Sequence, residues 1–585
     1  MVPESFRQFV RHGIAAVLIL AVGATAYGDR YWMPDAPGAI SFFANNWYDI
    51  EGMPQSAPAF EHIAYINSVN GLDDTVYIDG IANVHRLVIG GNQGPSAISA
   101  GGLELREGAL LVTENSQVSS IGGTDGVGYV RVDTGAAWYS AGRVYVGDEP
   151  GSKGYMTQHG GLVELASGQP LSVGQLAGAY GRYVMDGGEL TIGDRLFVGS
   201  IGEGEFEMNG GAITLTGNNG YLTISRNGGT GTFILNDGTV SVNRHIEIGH
   251  AGNGTFTLNG GTVTLQRQVE IGREPQGSGT LNIHGGTLSI GGNNNAGFLQ
   301  VARQGEGYVN HTGGQVFINR ISGDAGFTIQ ANNFDTTGEY RISGGELHVA
   351  DTNRGIDVGN TDGTGRALFN VVGDASTITI GNDYRQRPAG ILDLDIDTGI
   401  TTIDVGRDAV LSGRLDVEFL GAPTIGETFT IMQYAGSLTG TFDVFDTLVN
   451  SSLGLDTVQL GIDYGTGMDS AIVLTVLDLP PPSATLQGDY NGDGVVDAAD
   501  YTVWRNSMGQ TGLPPFEGAD GDGDGNITAA DYTVWKDNFG SMATGVLSLP
   551  ATQVPEPGTL LLIASGLAFA WGWRRQGRSR GDLPL

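Results

Sequence analysis

NGTFTLNGGTVTLQRQVEIG, residues 253–272, contains three short runs in which apolar and polar residues alternate. Phe256 and Leu258 alternate with Thr255 and Thr257, Val263 and Leu265 alternate with Thr262 and Thr264, and Val269 and Ile271 flank Glu270. A period of two means strand, with one apolar face and one wet face. Gly260-Gly261 separates the first two runs, where a sharp corner needs residues that tolerate positive φ.

The pattern recurs as YMTQHGGLVEL, YVMDGGELTI, FEMNGGAITL, FILNDGTVSV, LNIHGGTLSI, YVNHTGGQVFI and YRISGGELHV. Corners fall near Gly108, Gly135, Gly160, Gly187, Gly210, Asp237, Gly260, Gly285, Gly313, Gly344 and Gly373, 23 to 31 residues apart. Such a period indicates stacked units, none of which buries its apolar face alone. Three strands per unit without an intervening helical pattern predict a mainly β chain built on a right-handed parallel β-helix. A leucine-rich repeat would need a leucine and asparagine pattern that is absent, and a propeller blade would need about 40 residues. The region resembles the β-strand repeats of bacterial autotransporter passengers and of surface proteins with a C-terminal PEP-type sorting signal. That resemblance speaks to architecture and is nearly silent on activity.

The 98 glycines lack collagen periodicity and sit at the corners. A net charge of −34 argues against nucleic acid as a partner and suits an exported protein with calcium sites. With no cysteine there are no disulfides, thiolate metal sites or cysteine nucleophile.

The chain divides as follows. Residues 1–26 read as a signal peptide, with Arg7, Arg11 and His12 before an apolar run and Ala24-Thr25-Ala26 as cleavage site; an uncleaved anchor is the other reading. Residues 27–95 read as an N-terminal cap leading into the first coil, and 96–389 as the β-helix repeats. Residues 390–479, where the corner pattern fades, read as a small β-domain covering the last coil. Residues 480–487 form a Pro-rich linker, 488–545 a calcium module and 546–585 a sorting signal with a hydrophobic helix. The membrane is expected to meet the chain only through its terminal segments.

One turn column stands out. LTISRNGG, IEIGHAGN, VEIGREPQ and LQVARQGE align Arg226, His250, Arg273 and Arg303 after the third strand of four successive units. Stacked in register, these lie about 4.8 Å apart. One reading is a strip that binds acidic polysaccharide; the other is a solvated turn whose arginines cap carbonyls or pair with Glu274 and Glu306.

GDYNGDGVVDAADYTVWRNSMG and ADGDGDGNITAADYTVWKDNFG are two copies of one motif, offset by 31 residues. Each fits the oxygen-ligand spacing of a calcium loop, with glycine at position 6. The first loop offers Asp489, Asn491, Asp493, the Val495 carbonyl, Asp497 and Asp500; the second offers Asp520, Asp522, Asp524, the Asn526 carbonyl, Thr528 and Asp531. Each runs into a predicted helix, from Ala498 and from Ala529, and no helical pattern precedes either loop. Loop plus exiting helix, duplicated, with Asp at position 12, resembles type I dockerins. The resemblance implies about two calcium ions and a cohesin-like partner. It also places partner choice at loop positions 10 and 11, here Ala498-Ala499 and Ala529-Ala530, which depart from the family's familiar Ser-Thr pairs.

At the C-terminus, Val554-Pro555-Glu556-Pro557 precedes an apolar run and then Arg574, Arg575, Arg578 and Arg580. This resembles the PEP-CTERM signal, which implies processing by an exosortase-type enzyme. A permanent single-helix anchor is the alternative. The chain reads as a non-catalytic exported rod for display or adhesion at the cell surface or in the matrix. The alternative is a polysaccharide lyase or glycoside hydrolase on a β-helix, recruited through its dockerin, but the sequence offers no defensible catalytic constellation.

Overall fold

The structure, a computed structural model, describes residues 30–32, 40–41, 47–48, 54–55, 63–66, 75–90, 100–114, 117–291, 297–320, 326–330, 336–351, 355–360, 365–449, 458–465, 470–479, 486–513, 516 and 518–541. The expected signal peptide, the sorting signal with Val554, Pro555, Glu556 and Pro557, and most of the linker lie outside these residues. The chain separates into two compact units, residues 1–480 and 481–585.

The repeat at 253–272 folds as its alternation requires. Its three strands are Asn253–Leu258, Thr262–Leu265 and Gln268–Ile271, and each defines one face of a solenoid, here faces 1, 2 and 3. Each strand pairs in parallel with its equivalents in the neighbouring coils. Phe233, Phe256 and Leu281 share one register on face 1. Val240, Val263 and Leu288 do so on face 2, and Ile248, Ile271 and Val301 on face 3. Among the described residues the three sheets contain 16, 16 and 18 strands. The protein is a parallel β-helix, and the inward residues of all three faces form one continuous core. Phe206, Phe233 and Phe256 stack along it with ring centroids 5.0 and 5.1 Å apart, the separation at which aromatic pairs attract beyond their burial.

The corners separate two roles that a Gly-Gly pair conceals. Gly261 has φ +72° and takes the left-handed turn, whereas Gly260 does not. Gly260 is small because a Cβ there would lie 2.4 Å from the Asn236 carbonyl oxygen of the preceding coil. Where Asp237 stands in the first position, its carboxylate accepts the Gly238 amide at 2.7 Å.

The ladders extend past both expected borders of the repeats. Thr75–Ile78, Ile81–Val84 and Arg86–Ile89 already form a coil inside the stretch read as cap. Before it, Arg30–Trp32, Trp47–Tyr48 and Pro54–Gln55 pair antiparallel. In the stretch 390–479, read as a small β-domain, the described strands continue the solenoid and close it. Gly390–Ile396, Arg414–Phe419 and Val444–Val449 continue face 1 in parallel. Thr428–Tyr434 ends the parallel ladder of face 2, and its other edge pairs antiparallel with Ala471–Asp478, which pairs in turn with Gln459–Asp463. The corner signal fades here because the corners lengthen, as at 397–402 and 420–427, while the strands persist. The antiparallel pair covers a sheet edge that would otherwise offer unpaired amides.

On the outer side of face 1 near this end, Asp393 lies between core-facing Leu392 and Leu394, in register with Asn370 and Asp416. Burial, then the neighbouring Asp395 and Asp416, push its carboxyl up to about 6. Between its ordinary value of 3.8 and about 6, the folded chain holds a proton that the unfolded chain has released. The folded state binds more protons there, so stability falls as pH rises through this window. Asp393→Asn is expected to flatten that limb of a Tm-against-pH curve; an unchanged fall in the variant would assign it to another group.

Candidate functional site

In the second compact unit, the two loops lead into α1 (Ala498–Ser507) and α2 (Ala529–Asn538). The loop-to-helix transition follows from the residues at positions 9 and 12. Asp497 and Thr528 are N-caps, accepting the Ala499 and Ala530 amides at 2.7 and 3.1 Å. Asp500 and Asp531 complete capping boxes by accepting the amides of Asp497 and Thr528 at 2.8 and 2.6 Å. Caps of this kind are each worth about 1 kcal/mol.

The same carboxylates draw the loops closed. Asp500 Oδ1 accepts the Tyr490 and Asn491 amides at 2.8 and 3.0 Å, and Asp531 Oδ1 accepts those of Gly521 and Asp522 at 2.7 and 3.2 Å. Both aspartates are fully buried. At position 1, Asp489 accepts the amides of Gly492, Asp493 and Gly494, and Asp520 those of Gly523 and Gly525. In the second loop, the ligand oxygens of Asp520, Asp522 and Asp524 converge within 4.8 Å of one another. In the first loop, position 3 is Asn491, whose amide donates to Asp493 at 2.8 Å. The side chains at these positions offer oxygen and no sulfur or imidazole, a donor set that fits a hard cation such as calcium. The carbonyl positions, Val495 and Asn526, follow the turn glycines Gly494 and Gly525, which have φ +84° and +79°.

The structure also reveals how the two loops depend on each other, which loop spacing did not disclose. Val496, at position 8 of the first loop, donates to the Ser541 carbonyl at 2.9 Å and accepts the Gly540 amide at 2.8 Å, both just after α2. Ile527, at position 8 of the second, pairs likewise with Gln510 and Gly509 just after α1, at 2.8 and 2.9 Å. Trp504 Nε1 of α1 donates to the Thr528 carbonyl and Trp535 Nε1 of α2 to the Asp497 carbonyl, each at 2.7 Å. Each loop is thus held by the opposite helix. The near-identical helices AADYTVW were the available signal, since both tryptophans fall at equivalent places. Ala498, Ala499, Ala529 and Ala530 are exposed in the first turns of α1 and α2.

In the solenoid, Arg226, His250, Arg273 and Arg303 do occupy equivalent corners after face 3. Each follows a residue in the left-handed region: Ser225, Gly249, Gly272 and Ala302, with φ +62°, +66°, +62° and +58°. The three arginine side chains fold back over the strand. Arg226 lies 5.0 Å from the Phe197 ring centroid. Arg273 bonds Glu247 of the preceding coil and approaches Glu270 at 3.4 Å and Glu274 at 3.8 Å. Arg303 reaches Glu270 at 3.2 Å. Burial pushes the His250 imidazole below its ordinary range. The central residues beneath, Glu247 and Glu270, are 7% and 3% exposed although they point away from the core. Arg273→Gln takes the cationic partner from Glu247 and leaves it the Thr223 hydroxyl at 3.0 Å, and the expected cost is about 1–3 kcal/mol in urea unfolding. A variant as stable as the parent would show that water already compensates Glu247.

Among the described residues no helix is long and apolar enough to cross a membrane. The family described as dockerin type I domain matches residues 487–539, and the PEP-CTERM protein-sorting motif matches residues 553–576. The probable autotransporter YfaL of Escherichia coli (strain K12) is 28% identical over 228 residues, which cover 38% of this chain and 16% of that relative. The chain therefore aligns with a small part of the curated relative's length. No solved structure matches. These findings and the fold describe an exported, surface-associated β-solenoid that carries a dockerin type I domain and a PEP-CTERM sorting motif.

Proposed function

We propose that this chain is a non-catalytic display or adhesion rod whose calcium-loaded dockerin docks to a cohesin-like partner. The observation that carries the reading is the duplicated loop-helix unit, with Asp520, Asp522 and Asp524 converged and the two halves interlocked. About two calcium ions fill the loops, one each. Ala498, Ala499, Ala529 and Ala530 present two equivalent small, exposed surfaces to the partner. An exosortase-type enzyme processes the chain near Val554-Pro555-Glu556-Pro557. The test is calorimetry of the decalcified full chain, followed by binding to a panel of immobilised cohesins with and without calcium. Uptake of about two ions and calcium-dependent retention by at least one cohesin are expected. Failure to take up calcium, or retention indifferent to chelator, overturns the docking reading.

A second reading, a β-helix hydrolase or lyase, has one observation in its favour. Asp393, Asp395 and Asp416 lie on adjacent face 1 strands beside Arg341, which contacts Asp395 at 2.9 Å, and Arg414, which contacts Asp416. A carboxyl raised by burial, as Asp393 is, suits a general acid. Product analysis after incubation with a glycan panel decides: new reducing or unsaturated ends lost in Asp393→Asn would establish catalysis.

A further inference from the structure

Face 3 has a second column of cations, on the side opposite the one visible in sequence. The corner before face 3 contributes Arg195 ahead of Leu196–Val198, Arg244 and His245 ahead of Ile246–Ile248, and Arg267 ahead of Gln268–Ile271. With Arg226, His250 and Arg273 across the strand, six coil corners on one side of the rod are cationic or imidazole-bearing, in a chain of net charge −34. Parallel coils repeat at about 4.8 Å, so these groups form two rows rather than scattered points.

The acidic groups nearby do not neutralise both rows. Glu247 and Glu270 are taken up by Arg273 and Arg303. Among the described residues Arg195, Arg226, Arg244 and Arg267 have no carboxylate partner; Arg195 lies over the Tyr221 ring at 5.3 Å and Arg226 over Phe197. Four buried donor or acceptor atoms on the same surface lack a hydrogen bond: Arg195 Nε, His245 Nδ1, His250 Nδ1 and Arg273 Nε. Leaving such an atom unpaired costs about 1–3 kcal/mol, so their gathering on one face points to a ligand that satisfies them. The local field is visible in His245, which burial, then Arg267, Arg244 and Arg273, hold down at about 4.

We propose that the outer side of face 3 between residues 195 and 273 binds a linear acidic polysaccharide, laid across the coils along the rod. Guanidinium groups serve its carboxylates or sulfates, while neutral imidazoles serve its hydroxyls; the Tyr221 ring, between Arg195 and His245, holds these groups in place. The advance of one sugar in an extended chain is close to the rise of one coil, so successive acidic sugars meet successive corners. Nucleic acid fits less well, because its denser charge is repelled by the rest of this acidic surface. The proposal rests on the reading of the chain as an exported display rod and is independent of the calcium module.

The test uses the full chain with chelator present, so that dockerin docking plays no part. Retention is measured on immobilised polygalacturonate, sulfated dextran, neutral dextran and single-stranded DNA over a salt series. The parent is expected to be held by one or both acidic glycans and not by neutral dextran; the carboxylated and sulfated arms identify the acid. R195Q/R226Q/R244Q/R267Q is expected to lose about tenfold or more in affinity, which corresponds to about 1.4 kcal/mol. R131Q/R182Q, on face 1, changes the charge without touching the site and is expected to bind as the parent does. If the quadruple variant does not fold, R244Q/R267Q, which breaks no ion pair, takes its place. Undiminished retention by the variant, an equal loss in the face 1 control, absence of parent binding to either acidic glycan, or DNA held as tightly as glycan would each overturn the proposal.

Discussion

Removing calcium from the full chain is expected to unfold residues 486–541 and leave the solenoid intact. The module's buried apolar core is small: Trp504, Ala519 and Ile527, with Tyr490, Tyr501, Val503, Leu513 and Tyr532 packed partly against it. Units of this size draw little stability from an apolar core alone and are commonly reinforced by a metal or a disulfide, and this chain has no cysteine. Without a cation, Asp520, Asp522 and Asp524 hold their charges within 4.8 Å of one another. A ligand present at a thousandfold its Kd stabilises by about 4 kcal/mol per site, comparable with the whole stability of a small domain. The crossed tryptophan bonds make the halves interdependent, so Asp520→Ala is expected to release the first loop as well as the second. Hydrogen exchange measures both effects. Protection at the Val496 and Ile527 amides should vanish with chelator and in the variant, while Phe233 in the solenoid keeps its protection. A module that stays protected without calcium would refute the metal's structural role; first-loop protection surviving Asp520→Ala would refute the coupling.

The second large effect is expected from Phe233→Ala. Phe233 is fully buried between Phe206 and Phe256 in the face 1 column. Truncating such a ring costs about 3–5 kcal/mol, because the transfer term is joined by a cavity that close-packed neighbours fill only in part. In a solenoid each coil contacts only its neighbours, so the damage should stay local. Urea unfolding should begin in the coils from 203 to 265, seen as early exchange there, before the coils beyond 300. A loss below about 1 kcal/mol would mean that the column collapses around the gap.

The contrast between these two experiments reflects what was legible in the sequence. Phe256, Val263 and Ile271 announce their strands through alternation alone, and the spacing of Asp520, Asp522 and Asp524 already suggests the cluster they form. The predicted helix starts at Ala498 and Ala529 coincide with those observed, because the capping residues are local. The Asp393 environment and the Arg273–Glu247 pair were not legible. Asp393 meets Asp416 and Arg273 meets Glu247 only through register, which depends on the summed lengths of the intervening corners.

The sequence alone therefore determined the repeat, the strand periodicity, the duplicated loop-helix motif and the C-terminal sorting motif, since each is written within a few adjacent residues. Tertiary structure decided the rest. It fixed which glycine of a pair takes the left-handed turn and which merely clears a carbonyl. It carried the ladders through 390–449, where the corner signal had faded. It crossed the two acidic loops onto each other's helices. It also set a second row of arginines beside the first. In each case the deciding neighbour lies at least one full coil or one full motif away along the chain. Its position is set by packing and backbone pairing, not by any pattern local enough to read.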